Sequence, residues 1–229
     1  MAIHLYLVRH GRTYFNLYNR LQGWSNSPLT LDGKNDAAKA GEKLASVKFD
    51  AAFCSDTTRA QQTAQIILQK NASARFSKLQ EAETHMELRE QFYGYFEGRD
   101  MNEAWWAAGA PHDAPTYAQI IEKYGPAATR DFLKEADPFH HAENNEEYWK
   151  RVERGYRIIG KSRNVHDDSN VLVIAHGNTL LSLLQRFSKT ASADVDLTVR
   201  PANGSITRFD FDPSQEDFDM AMTLIACNE

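Results

Sequence analysis

Apolar positions first gather in Ile3-His4-Leu5-Tyr6-Leu7-Val8, a run of strand length that stops at Arg9-His10-Gly11. Short unbroken runs of this kind, bounded by polar or glycine-bearing segments, predict strands buried on both faces. Asp50-Ala51-Ala52-Phe53-Cys54 and Asn170-Val171-Leu172-Val173-Ile174-Ala175 repeat the pattern, and segment 75–84 holds a weaker candidate. Between the strands the period changes. Thr30 is placed to cap a helix whose inner face, Leu31, Ala37, Ala38, Gly41, Leu44 and Ala45, runs to about Val47. Ser55 or Asp56 is placed to cap another through about Gln69, and a third begins at Thr179 and runs to Phe187. Ser205 to Phe211 and Phe218 to Ala226 alternate on either side of Asp212-Pro213-Ser214, as a hairpin would. Strands alternating with helices predict an α/β fold built from βαβ units.

The pattern breaks between Gly98 and about Trp149, where the chain becomes helical, aromatic and acidic. Residues 99–149 carry four Lys or Arg against ten Asp or Glu, a balance of −6 in a chain whose net charge is −5. We expect one domain, 1–229, with 99–149 inserted as a helical cap that holds the protein's acidity. With 42% hydrophobic and 25% charged residues over 229 positions, the chain has enough apolar material for a substantial core. It has no polyelectrolyte signature, which argues against a nucleic-acid partner, and any anionic substrate must be held by local charge. No stretch has the length of a membrane span and no signal-peptide pattern opens the chain, so the expected location is cytoplasmic. Cys54 and Cys227 form neither a disulfide framework nor a metal knuckle and read as buried free thiols. Nothing in the pattern decides the oligomeric state, and a homodimer is compatible with it.

The candidate chemistry lies at three strand ends: Arg9-His10-Gly11, Ser55-Asp56-Thr57-Thr58-Arg59 and His176-Gly177-Asn178-Thr179. In a parallel sheet the carboxyl ends face one crevice, so two histidines and two arginines would converge there. Arginine forks match phosphate oxygens, and the charge of Arg9 favours a neutral His10 with a lone pair to attack. Each piece has a plain alternative: Arg59 as a solvated first-turn residue, His176 as a helix cap. The threefold recurrence of a strand followed by basic residues favours the phosphate site.

Taken together, Leu7-Val8-Arg9-His10-Gly11-Arg12-Thr13 with Asn16, Gln22-Gly23-Trp24, Pro28-Leu29-Thr30-Leu31-Asp32-Gly33, Ser55 to Ala64, Leu88-Arg89-Glu90 through Phe96-Glu97-Gly98, and Ala175-His176-Gly177 resemble the histidine phosphatase superfamily, the phosphoglycerate mutase-like proteins. The resemblance implies a three-layer α/β/α sandwich around a mostly parallel sheet. It implies that His10 becomes a phosphohistidine, that Arg9, Arg59 and His176 bind the transferring oxygens, and that Glu90 is the proton donor, with Glu87 as a nearby competitor. Asn16, Gln22, Gly23, Tyr93 and Gly177 would complete the substrate cradle. No cofactor and no metal are called for.

His140-His141 with Glu143 raises a metal site, but adjacent histidines face different ways on any regular element, so a surface pair is expected. The cap aromatics read first as core and second as a grip on a leaving group. The main contest is between a phosphatase and a mutase. Family mutases carry extra basic residues after the acid loop, whereas Arg99-Asp100-Met101-Asn102-Glu103 lacks the expected Lys near Met101. Hydrolysis of a small phosphorylated metabolite is therefore the expected activity. Phosphoglycerate mutase is the alternative, followed by a non-catalytic phosphate-binding module.

Overall fold

The computed structural model describes residues 2–71, 79–188, 197 and 200–227. Strand β1 (Ile3–Arg9) pairs in parallel with β4 (Asn170–Ala175), which pairs in parallel with β2 (Ala51–Cys54), and β2 pairs with the two-residue β3 (Glu83–Thr84). On the other side of β1, β5 (Ile206–Phe211) runs antiparallel and pairs with β6 (Met222–Ala226). The order is β3-β2-β4-β1-β5-β6 in a mixed six-stranded sheet. The C-terminal hairpin strands are as expected, except that Phe218–Ala221 is a helical turn before β6. Of segment 75–84, residues 75–78 lie outside the described residues.

Alternation along the central strands divides the core into two layers, as the pleat requires. Ile3, Leu5, Leu7, Phe53, Val171 and Val173 face one layer with Tyr148, Val152, Tyr156 and Ile159. Val8, Ala52, Cys54, Leu172 and Ile174 face the other with Ala40, Leu44, Ala60, Ala64 and Ile67. After the four-residue α1 (Tyr14–Leu17), helices α2 (Leu31–Lys43) and α3 (Thr58–Lys70) cover the second layer. Thr30 caps α2 through its side chain, accepting from Gly33 N at 3.0 Å. Helix α3 starts later than expected, with Thr57 in the N-cap position and no side-chain cap bond. Ser55 and Asp56 are engaged elsewhere, by His176 and Arg89.

Helices α4 (Met101–Gly109), α5 (Tyr117–Tyr124) and α6 (Pro126–Ala136) pack around a third core containing Phe96, Trp105, Ile120 and Leu133. Trp105 is buried there, whereas Trp106 and Phe139 are exposed, so only some of the aromatics are core. Helix α7 (Asn145–Gly160) opens with a capping box at Asn144 and lies on the sheet, so Trp149 falls inside a helix of the first layer. Helix α8 (Gly177–Phe187) follows β4 directly. Cys54 is a buried thiol, as expected, but Cys227 is only half-buried. No described helix is long and apolar enough to cross a membrane.

Candidate active site

Register delivers the site. Arg9 lies opposite Ala175 and Cys54 opposite Ile174, so His10, Ser55 and His176 leave three neighbouring strands at one edge of the sheet. The His10 backbone N–H donates to Ala175 O at 3.0 Å. Gly11 permits the turn, because a Cβ there would meet Gly33 O at 2.0 Å.

His10 is 3% exposed, and its Nδ1 lies 2.8 Å from Gly11 O. A carbonyl oxygen only accepts, so Nδ1 carries the proton and Nε2 holds the lone pair. Burial, then the charges of Arg59 and Arg9, hold the imidazole well below its usual value. Arg9 thus acts in the expected direction but ranks behind desolvation and Arg59. His176 stands 5.2 Å away, centroid to centroid. Its Nδ1 accepts from Arg59 Nη2 at 3.2 Å, which places its proton on Nε2, donated to Ser55 Oγ at 2.9 Å. Burial and Arg59 hold this ring neutral too. His176 occupies the N-cap position of α8, yet its side chain makes no cap bond.

Arg59 is fully buried rather than solvated. Its Nη1 donates to Ser25 O at 2.9 Å and Nη2 to Gly23 O at 2.6 Å, while Nε has no partner among the described residues. Arg9 donates through Nη1 to Pro201 O at 2.6 Å, and its Nε is likewise unpartnered. Burial lowers each guanidinium to about 10, which leaves both charged at neutral pH. Gly177 lets Arg9 approach, since a Cβ would lie 3.0 Å from its guanidinium.

Glu90 is 4% exposed and sits at the amino end of α8. Oε2 accepts from Asn178 N at 2.7 Å, and Oε1 accepts from Thr179 Oγ1 at 2.9 Å and Gln91 N at 3.0 Å. Asn178 Nδ2 donates to Tyr93 OH at 3.0 Å, which places Tyr93 beside the acid. Gln22 accepts Thr13 Oγ1 at 2.6 Å through Oε1, and its buried Nε2 is unpartnered among the described residues. Asn16 serves the capping box of α1, and among the described residues no hydrogen bond joins it to His10, His176, Arg9, Arg59 or Glu90.

A family model, "Histidine phosphatase superfamily (branch 1)", matches residues 5–221. The chain belongs to the histidine phosphatase superfamily. It is 30% identical over 194 residues, 84% of this chain and 78% of the relative, to "2,3-bisphosphoglycerate-dependent phosphoglycerate mutase 2" of Gloeobacter violaceus. It is 33% identical to the phosphoglycerate mutase of Cytophaga hutchinsonii over 83% of this chain and 80% of that one. Among solved structures, a phosphoglycerate mutase from Bacillus anthracis superimposes with a TM-score of 0.82 at 28% identity, covering 100% of this chain and 93% of that one.

In this member of the superfamily several supporting residues are not apparent from local sequence. Glu97 accepts from the backbone N–H groups of Gly23, Trp24, Ser25 and Tyr93 at 2.9–3.1 Å and from Ser25 Oγ at 2.5 Å. It therefore fixes the loop whose carbonyls hold Arg59. Arg151 forms a buried two-bond pair with Glu143 at 2.6 and 2.7 Å and donates to the backbone oxygens of Glu87, Arg89 and Glu90. Glu143 is thus committed to an arginine, and no cluster of metal-ligand type occurs among the described residues. Asn203 Nδ2 donates to His10 O at 2.8 Å.

An open pocket of about 1190 Å³ is lined by Tyr95, Met101, Trp105, Trp106, Tyr117, Arg99 and Arg200 among others. Arg200 on its wall donates through Nε to Asn178 Oδ1 at 2.8 Å.

Proposed function

We propose that this histidine phosphatase hydrolyses phosphomonoesters of small metabolites through a phosphohistidine on His10, with a single domain, 1–229, whose segment 99–149 caps the site. The observation that carries the reading is the bond from His10 Nδ1 to Gly11 O, which leaves Nε2 as a buried, unprotonated nucleophile. In the first step Nε2 attacks phosphorus, the ester P–O bond breaks, and the departing alkoxide takes a proton from Glu90. In the second, Glu90 takes a proton from water as the water oxygen attacks phosphorus, the P–N bond breaks, and the lone pair returns to Nε2.

Arg9 and Arg59 each offer an Nε–H with no partner among the described residues, and Gln22 offers Nε2. These are donors suited to the equatorial oxygens, where losing one commonly lowers the rate by roughly 10²–10³. For His176 to donate through Nδ1 it must gain a proton or switch tautomer with Nε2 accepting from Ser55 Oγ, and a phosphate dianion beside it favours the protonated form, in which His10 and His176 titrate as a coupled pair. The arginines neutralise the phosphate, so the scheme needs no metal. A cytoplasmic setting suits such a metabolite and the buried Cys54 thiol.

A mutase must shield the phosphohistidine from water. The stretch Arg99-Asp100-Met101-Asn102-Glu103, which lacks the Lys expected of a family mutase near Met101, supports hydrolysis. The second reading, phosphoglycerate mutase, is favoured by the names of the relatives above. Purified protein is expected to hydrolyse a generic aryl phosphate in the presence of a chelator. Efficient interconversion of 3- and 2-phosphoglycerate with negligible phosphate release would overturn the phosphatase reading.

A further inference from the structure

The loop that carries Glu90 has little regular structure of its own, only a short helical turn, Met86–Leu88, just before the acid. Its course is set from outside, by one face of α7. Arg151, Arg154 and Gly155 share that face at the i, i+3 and i+4 spacing of a helix. Gly155 lets the loop lie close, since a Cβ there would come 3.0 Å from Leu88 Cδ2 and 3.3 Å from Glu87 O. Arg151 is buried and donates through Nη1 to Glu87 O at 2.9 Å and Arg89 O at 2.8 Å, and through Nη2 to Glu90 O at 3.1 Å. Glu143 takes the other two donors, from Nε at 2.6 Å and Nη2 at 2.7 Å, so all five N–H groups of the fork are committed. Glu143 also grips the loop directly: its Oε2 accepts from Phe92 N at 2.9 Å, and its own backbone N–H donates to Phe92 O at 3.0 Å. Trp24 Nε1 gives the Glu90 carbonyl a second hydrogen bond at 3.1 Å, and its ring stacks on Phe92 at 4.6 Å. The backbone of the acid is therefore pinned independently of its carboxylate, which Asn178, Thr179 and Gln91 hold.

We propose that Arg151 is a positioning residue for the proton transfer made by Glu90, its fork setting the path of residues 87–92 so that the Glu90 carboxyl meets the leaving oxygen of the ester. This rests on the roles of His10 and Glu90 proposed above, and it holds whether water or a second alcohol finally takes the phosphoryl group. In the phosphorylation step the proton passes from Glu90 to the ester oxygen as the P–O bond breaks, so its benefit depends on the leaving group. An alkoxide departs poorly without that proton, whereas p-nitrophenolate is a stable anion near neutral pH and needs little help. Misplacing such a group by about 1 Å commonly lowers the rate by roughly 10²-fold. Lysine presents a single ammonium and cannot serve three carbonyls and a carboxylate from one plane. Arg151→Lys therefore releases the loop while keeping the positive charge, which ranks behind burial, Arg59 and His10 among the influences that hold His176 neutral.

Rapid-quench mixing with radiolabelled ethyl phosphate or p-nitrophenyl phosphate, each at limiting concentration, reads the rate at which label appears on the protein. Arg151→Lys is expected to slow labelling from ethyl phosphate by roughly 10²-fold more than labelling from p-nitrophenyl phosphate. Glu90→Gln should show the same bias, larger still. Equal slowing with both donors in Arg151→Lys overturns the inference, because a merely structural defect does not distinguish leaving groups, and so does an unchanged rate with ethyl phosphate. Where Arg151→Lys proves unfolded by circular dichroism, Trp24→Phe decides by the same ratio. That variant drops one hydrogen bond to Glu90 O but keeps the stack on Phe92, and a bias of about 10-fold is expected. Wild type that takes label from neither donor would sink the phosphohistidine reading and this inference with it. Labelled wild type without the bias in the variant overturns the inference alone.

Discussion

Replacing Glu97 by Gln removes one acceptor from a carboxylate that receives five hydrogen bonds. Oε1 accepts from Trp24 N and Tyr93 N, whereas Oε2 accepts from Gly23 N, Ser25 N and Ser25 Oγ. The amide must turn its NH₂ toward one of these sets, and the less damaging choice strands the two donors on the Oε1 side. A stranded buried donor costs about 1–3 kcal/mol, so the variant should lose about 2–6 kcal/mol in total. For a chain of this size each kcal/mol lowers Tm by roughly 2–4 °C, which predicts a fall of about 4–24 °C. The loop also supplies Gly23 O and Ser25 O to Arg59, so loosening it misplaces a guanidinium in the phosphate site. We expect kcat/KM on an aryl phosphate to fall by roughly 10² in protein that is still folded by circular dichroism. Thermal unfolding and steady-state kinetics on the same preparation read both effects. A Tm within about 2 °C of wild type, together with unchanged kcat/KM, would refute the argument that Glu97 organises Arg59.

Other perturbations have equally definite outcomes. Arg151→Met leaves Glu143 buried without its partner and frees the backbone of the acid loop, so urea unfolding should show a loss of about 3–5 kcal/mol. Gly94→Ala places a Cβ 2.0 Å from Asp137 Oδ2 at a φ of +56°, and should yield largely insoluble or strongly destabilised protein in an expression and melting assay. His4 is held above 6.5 mainly by hydrogen bonds to Asp168 and Asp210. The native state therefore keeps a proton that the unfolded chain releases; the resulting stabilisation is complete below about 6.5 and is lost as pH rises through the folded value. His4→Gln should flatten the urea midpoint over that window, and an unaltered slope would contradict the assignment. Because burial holds His10 well below 6.5, the acid limb of kcat/KM should lie below the ordinary imidazole range once ionisation of the substrate is corrected for.

The parts of the molecule legible in the sequence are those dictated by local pattern. The runs ending at Val8, Cys54 and Ala175 are mostly apolar because the central strands β1, β2 and β4 are covered on both faces over most of their length, and their parallel register forces the following residues into one crevice. What escaped depends on partners distant in sequence. Asp56 resembles a helix cap, but it pairs with Arg89, and Ser55 Oγ accepts from His176 Nε2, so tertiary bonds displaced the cap to Thr57. Arg59 resembles a solvated first-turn residue until the loop at residues 23–25 closes over it, and the carboxylate shaping that loop is 74 residues from Gly23. Glu97 lay inside a recognisable motif, yet no local spacing distinguishes an acid that gathers backbone donors from a solvated one. Arg200 was equally silent, since its neighbours Met101, Tyr117 and Asn178 come from separate elements.

The central claim is that His10 Nε2 carries the phosphoryl group and water removes it. Rapid-quench mixing with a radiolabelled phosphomonoester tests this most directly. We expect an acid-labile, alkali-stable label on His10 that forms before inorganic phosphate appears, decays into it, and is absent from His10→Ala. Phosphate release without any labelled protein, or a label that persists unchanged in His10→Ala, would contradict it.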